Sequence, residues 1–223
     1  MSDAPGPDWS FDPHVVGRSY GAVAEEYAAA FAADLDQLPV DREVLAEVAD
    51  AARSQQPIVD LGCGPGYVAA YLEAVHRRTA IGIDLAPLML AAARRREPDL
   101  AVAVGDIRAL PLRDASCSGA VAFYSLQHLP RADLPMALIE IGRVLIAGAV
   151  LAIAAHLGEG ELGSPTDWMG HHVESMAVTL LGLDELQNAL STAGFTVMAI
   201  RHREPLPHEY QGPRIYVTAS RTG

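Results

Sequence analysis

Three glycines at alternate positions, Gly62, Gly64 and Gly66, follow directly on the apolar run Ile58-Val59-Asp60-Leu61. Glycine accepts a positive φ and lets a backbone pass close to a ligand, so this spacing at a strand end reads as a loop wrapped around a bound molecule. The next apolar run ends at Gly82-Ile83-Asp84, placing Asp84 22 positions beyond Gly62. A carboxylate there can accept hydrogen bonds from both hydroxyls of a ribose. A third run ends at Gly105-Asp106-Ile107. Asp106 can accept from an adenine amino group while the following amide reads a ring nitrogen. A lone glycine loop or a lone acid is more often a tight turn or a helix cap. Three strand ends that each offer a polar ligand describe an adenosine-shaped site.

Other residues could act on whatever stands beside that site. His128, in Tyr124-Ser125-Leu126-Gln127-His128-Leu129-Pro130, carries an imidazole near its ordinary pKa at neutral pH and can accept a phenol or hydroxyl proton. It can equally cap the next helix or pack beneath a ligand. Trp168, His171 and His172 form a polar and aromatic cluster in an irregular stretch, where they read as a substrate-pocket wall or as lid packing. Adjacent histidines point in different directions, so they make a poor metal pair, and no metal site is expected. Tyr20 and Tyr27 fall on one helical face, either reaching the site or docking an aromatic stripe onto the core.

The elements that must position these groups alternate along the chain. Helices are expected over Ser19–Asp34 and from an Asp41 N-cap to Arg53, before Pro57 breaks the pattern. Strands at Ile58–Leu61, Thr79–Ile83, Leu100–Val104, Gly119–Tyr124 and Val150–Ala155 then alternate with helices at Tyr67–Val75, Pro87–Arg96 and Asp133–Leu145. Short apolar strands separated by helices indicate a parallel sheet buried on both faces. A helix at Leu183–Ala193 and strands at Phe195–His202 and Arg214–Ser220 close the chain. The reading is an α/β, Rossmann-like, doubly wound fold: a mostly parallel seven-stranded sheet with an antiparallel C-terminal strand, and N-terminal helices as a lid. Residues 1–16 read as a flexible arm and 17–223 as one domain, with 17–54 as a helical cap and 156–181 as a substrate-side insert.

Composition narrows the partners. The chain has 223 residues, 50% of them hydrophobic, with a formal net charge of −12. An acidic surface repels phosphodiester backbones, so nucleic acid is not an expected partner. The basic runs His76-Arg77-Arg78 and Arg94-Arg95-Arg96 fall at expected helix ends, where cations favour the negative end of the dipole. Two cysteines in separate motifs, Cys63 and Cys117, suit a reducing compartment. Neither a leader nor an apolar run of the ~18 residues a membrane span needs is evident, so a cytoplasmic location away from membranes is expected.

The motifs together resemble those of the class I S-adenosylmethionine-dependent methyltransferases of small-molecule type. Val59-Asp60-Leu61-Gly62-Cys63-Gly64-Pro65-Gly66 is similar to their first motif, and Gly82-Ile83-Asp84-Leu85-Ala86-Pro87-Leu88-Met89 to the next. Gly105-Asp106-Ile107-Arg108-Ala109-Leu110-Pro111-Leu112 followed by Ser118–Tyr124 resembles the two after that. The likeness implies that Asp60, Gly62, Gly64 and Gly66 hold the methionine end of S-adenosylmethionine and that Asp84 takes the ribose. It implies that Leu85, Met89, Asp106 and Ile107 frame the adenine and that Tyr124 lies by the methionine. It also implies that His128 stands by the transferred methyl group and that Tyr20 or Tyr27 closes over the site. The pattern departs at Ile146-Ala147-Gly148-Ala149, where the family often has Lys-Pro-Gly-Gly, and at Ala86, which replaces a frequent serine. Methyl transfer to a small-molecule acceptor is the expected activity, with a non-catalytic cofactor-binding scaffold as the alternative. A nicotinamide-dependent oxidoreductase fits less well, because its fingerprint places the third glycine one position later.

Overall fold

Strand β1 (Ile58–Leu61) is short, apolar and buried along its whole length, as a central strand covered on both faces must be. In the computed structural model, which describes residues 9–31, 34–53, 55–206 and 209–223, everything else is arranged around it. Four N-terminal helices come first: α1 (Pro13–Ala22), α2 (Ala24–Ala30), α3 (Asp34–Gln37) and α4 (Pro39–Ala51). After β1 follow α5 (Tyr67–Ala74), β2 (Ala80–Asp84), α6 (Pro87–Arg96), β3 (Ala101–Val104), β4 (Cys117–Phe123), α7 (Leu134–Val144) and β5 (Leu145–His156). Short strands β6 (Glu161–Gly163), β7 (Asp167–Trp168), β8 (His171–His172) and β9 (Ala177–Thr179) lead to α8 (Leu183–Thr192), β10 (Phe195–Arg203) and β11 (Arg214–Arg221).

The main sheet has seven strands in the order β10-β11-β5-β4-β1-β2-β3, with β11 antiparallel to both neighbours and the first five strands mutually parallel. Successive strand residues face opposite sides, which divides the core in two. Val59 and Leu61 pack with Leu138, Ile141 and Leu186 under α7 and α8. Ile58 packs with Val44, Leu45, Val48 and Leu72 under α4 and α5. Strand order reverses between β1 and β4, so the crevice beyond their carboxyl ends is the natural ligand position in such a sheet. No described helix is long and apolar enough to cross a membrane.

Several element bounds differ from the sequence reading, each for a local reason. The first helix begins at Pro13, which supplies a helical φ at no hydrogen-bond cost, and Asp12 caps it by accepting from the His14 amide at 2.8 Å. It breaks at Val23, so Tyr20 and Tyr27 stand on separate helices. The arm therefore reaches only to residue 12; its residues 1–8 lie outside the described residues. Pro39, not Asp41, opens α4, and Asp41 turns inward to accept from the Tyr216 hydroxyl at 2.7 Å. The stretch 156–181 holds two small antiparallel ladders, β6 with β9 and β7 with β8. Met169 and Gly170 join β7 to β8, both at positive φ, as a two-residue hairpin turn demands.

Candidate functional site

Strand ends β1 to β4 surround a cavity at the point where strand order reverses. Gly62 and Gly64 follow β1, Asp84 and Leu85 close β2, Gly105 and Ile107 follow β3, and Phe123, Tyr124 and Ser125 leave β4. Met89 from α6, Tyr20 from α1 and Tyr27 from α2 complete the wall, with His128 at one side. At Gly62 an added Cβ would lie 2.4 Å from the Ser125 Cβ, and φ is +73. At Gly64 φ is +51 and no atom stands within 4 Å of a Cβ position, which leaves an open cradle. The buried Ser125 Oγ has no partner among the described residues. Tyr124 holds a φ of 56, unusual for a side chain of that size, as the chain turns out of the sheet.

Asp84 organises the loop as well as lining the cavity. Its carboxylate accepts from the Gly64 amide at 2.7 Å and the Ala86 amide at 2.8 Å. Burial raises its pKa against those two bonds. The amides of Gly62 and Cys63 both donate to the Ile83 carbonyl, at 2.7 and 3.0 Å, and that of Gly66 to the Cys63 carbonyl at 2.9 Å. The loop thus keeps few free amides for an anion, whereas a pyrophosphate needs amides aimed at it. Two carboxyls stand against it instead, the environment of a cationic ligand. An open glycine cradle, an acid at the second strand end and an orphaned hydroxyl fit S-adenosylmethionine, whose sulfonium and amino group are positive.

Not every residue predicted for the site reaches it. Asp60 is buried beneath the loop and accepts from the Ala69 amide at 3.2 Å, capping α5. Burial, with Asp84 nearby, pushes its pKa up to about 7. Gly66 is a packing position, since a Cβ there would lie 2.8 Å from Leu100. Asp106 lies outside the cavity because the Arg108 guanidinium grips both of its oxygens, at 2.7 to 3.2 Å. The same arginine donates to Asp133 at 2.7 Å. Asp106 faces a shallow groove between α1 and α6. His171 pairs with Glu26 at 3.1 Å, the exposed His172 lies 3.9 Å from Asp167, and neither ring lines the cavity. Gly62, Gly64, Asp84, Leu85, Met89, Ile107, Tyr124, Tyr20, Tyr27 and His128 are brought together.

A second cavity of about 260 Å³ lies beyond Tyr20 and His128, which line both. Its other walls come from Gln127, His156, the insert residues Trp168, Met176 and Val178, and Tyr210. Tyr20 makes edge-to-face contacts with Tyr27, His128 and Trp168, with centroids 6.0, 5.3 and 5.2 Å apart. Its hydroxyl lies 2.8 Å from His128 Nε2, and His128 Nδ1 lies 3.2 Å from the Ala177 carbonyl. A carbonyl only accepts, so Nδ1 carries the proton and Nε2 accepts from Tyr20. Burial drives the His128 pKa down to about 4 and raises that of Tyr20, so both are neutral.

The lid is latched from both sides. Ser10 bridges Met176, donating to the Ser175 carbonyl at 3.1 Å and accepting from the Ala177 amide at 2.9 Å. Arg18 pairs with Glu174 at 2.8 Å, and the Ser19 hydroxyl donates to the Glu174 carbonyl at 2.9 Å. Gln127, His156 and Tyr210 escaped the sequence reading. Nothing in their spacing distinguished them, since β11 and the β10–β11 connection bring Tyr210 back over the end of β5.

Comparisons with known proteins point to a methyltransferase domain. Residues 58–148 match a family described as a methyltransferase domain. An O-methyltransferase of Penicillium expansum is 33% identical over 150 residues, covering 64% of this chain and 53% of that protein. A trans-aconitate 2-methyltransferase of Methylobacterium nodulans is 40% identical over 116 residues, covering 50% of this chain and 42% of that protein. The chain thus spans about half the length of the curated relatives it matches. A solved methyltransferase from Methanosarcina mazei shares the fold with a TM-score of 0.68 at 18% identity, covering 78% of this chain and 96% of that one.

Proposed function

We propose that this chain, which belongs to the class I S-adenosylmethionine-dependent methyltransferases, moves a methyl group from that cofactor to a small-molecule acceptor in the second cavity. The observation that carries this reading is the shared wall: Tyr20 and His128 line both cavities and are bonded to each other at 2.8 Å. Gly64, Asp84, Leu85, Met89, Ile107 and Ser125 would hold the cofactor, which supplies an activated methyl carbon on a good leaving group.

The remaining work is positioning, exclusion of water and handling of a proton. Tyr20, Tyr27 and Trp168 form an aromatic cover that keeps the junction dry. His128 Nε2 is the acceptor atom at that junction. An acceptor hydroxyl that takes the place of the Tyr20 hydroxyl would present its proton to this nitrogen. With its pKa near 4, His128 stays neutral until the hydroxyl becomes acidic, so orientation precedes proton transfer. The domain is read as an arm, an N-terminal cap, a methyltransferase core and the 156–181 insert. Its two buried free cysteines suit the cytoplasm.

The test is incubation with S-adenosylmethionine and a panel of hydroxyl, amine, thiol and carboxylate acceptors, followed by mass spectrometry. A product 14 mass units heavier, formed together with S-adenosylhomocysteine, is the expected result. Cofactor binding without methylation of any panel member favours a scaffold. Thermal stabilisation by NAD(P) and none by S-adenosylhomocysteine would overturn the cofactor assignment.

A further inference from the structure

Among the described residues, the second cavity has aromatic walls, no formally charged side chain in its lining and one buried side-chain nitrogen without a partner. Trp168, Met176 and Tyr210 supply apolar surface, while Gln127, His128, His156 and Ser164 supply polarity. His128 uses both nitrogens, on Tyr20 and on the Ala177 carbonyl. Gln127 accepts from the His156 backbone amide at 3.4 Å. The buried Nδ1 of His156 has no partner among the described residues. Its ring is held between Tyr124 and Tyr210, with centroids 5.5 and 5.0 Å away.

We propose that this cavity binds an uncharged ring bearing a hydroxyl, and that His156 is the specificity residue that reads this hydroxyl, a group distinct from the one presented to His128. The inference rests on the second cavity being the acceptor site. A buried imidazole nitrogen without a protein partner calls for an ordered water or a ligand hydroxyl that takes its place. Arg214 and Arg203 lie close enough to oppose protonation of His156, and both are tied to Glu209, at 3.6 and 2.7 Å. Burial is the larger cause, and together they bring the His156 pKa down to about 4. Among the described residues, no arginine, aspartate or glutamate lines the cavity, and the chain contains no lysine. A carboxylate entering it would lose water and meet no cationic side chain in the wall, since Arg203 and Arg214 behind His156 are already paired with Glu209. An uncharged ring buries its faces against Trp168 and Met176 and leaves its hydroxyl for His156.

Isothermal titration of 2-naphthol and of 2-naphthoate at pH 7 tests this directly. The two share a ring system and differ in charge. Both are titrated into the full chain without S-adenosylhomocysteine and again with it, and the binding of S-adenosylhomocysteine is measured separately. A failure of that cofactor analogue to bind therefore counts against the proposed function, while the naphthol comparison still decides the present inference. We expect 2-naphthol to bind at least about ten-fold more tightly than 2-naphthoate. His156→Phe should weaken 2-naphthol about three- to ten-fold, the scale of one hydrogen bond, and leave S-adenosylhomocysteine unaffected. His156→Gln, which keeps a hydrogen-bonding group, should retain most of the preference. Equal or tighter binding of 2-naphthoate, or wild-type affinity for 2-naphthol in a folded His156→Phe protein, would overturn the proposal. Should His156→Phe not fold, the wild-type comparison and His156→Gln still decide it.

Discussion

Two chemically identical substitutions in the glycine loop should fail in different ways. At Gly64, φ is +51 and a Cβ would have no atom within 4 Å. Gly64→Ala therefore meets no clash in the free protein, and its cost is the left-handed backbone, about 1–2 kcal/mol. A domain stable by about 5–15 kcal/mol tolerates that. The added methyl occupies the cradle, so affinity for S-adenosylhomocysteine should fall at least ten-fold, about 1.4 kcal/mol. At Gly62, φ is +73 and the Cβ would lie 2.4 Å from the Ser125 Cβ. Gly62→Ala adds overpacking of about 1–3 kcal/mol to the same backbone cost, about 2–5 kcal/mol in all. Urea unfolding reads stability and isothermal titration reads affinity. Wild-type affinity in Gly64→Ala, or a greater loss of stability there than in Gly62→Ala, would refute the assignment of the cradle.

Tyr20→Phe keeps the ring but leaves His128 Nε2 without its donor in the free protein, so stability should fall by about 1–3 kcal/mol, while turnover should not fall, because the acceptor displaces that hydroxyl. An unchanged urea midpoint, or a loss of turnover as large as that of His128→Ala, would contradict this role of the pair. Asp60→Asn should show a pH-dependent effect. The folded-state pKa of Asp60 is pushed up to about 7 from 3.8, so its favourable contribution is complete below 3.8 and lost as pH rises through 7. The asparagine variant, whose amide oxygen can still accept from Ala69, should gain on the wild type between pH 4 and 7 and hold that lead above. A gap independent of pH contradicts the buried carboxyl. His171→Ala and His172→Ala should leave affinity for S-adenosylhomocysteine and the unfolding midpoint at wild-type values; a lost binding signal would return these residues to the site.

The parallel core was legible because its signals are local. A buried strand such as Ile58–Leu61 reads as an apolar run, and Gly62 to Gly66 announce a turn that only glycine makes easily. Residues on short strand-to-helix turns were likewise placed: Asp84, Leu85 and Ile107 all line the cavity. The residues that do not line the cavity have competing partners. Asp60 and Asp106 have the right spacing, but nearby donors, the Ala69 amide and the Arg108 guanidinium, take their carboxyls. His171 and His172 were grouped with Trp168 by proximity along the chain; His171 does lie opposite Trp168 but engages Glu26, and His172 lies opposite Asp167. His156 was invisible because its neighbours Tyr124 and Tyr210 arrive from distant segments.

A crystal structure with S-adenosylhomocysteine bound tests the central claim most directly, namely that Tyr20 and His128 divide the cofactor cavity from the acceptor cavity. The account predicts that the ribose hydroxyls meet Asp84 and that the sulfur faces the Tyr20–His128 wall, towards the second cavity. Adenosine lodged in the groove beside Asp106, or a sulfur turned away from that wall, would contradict it.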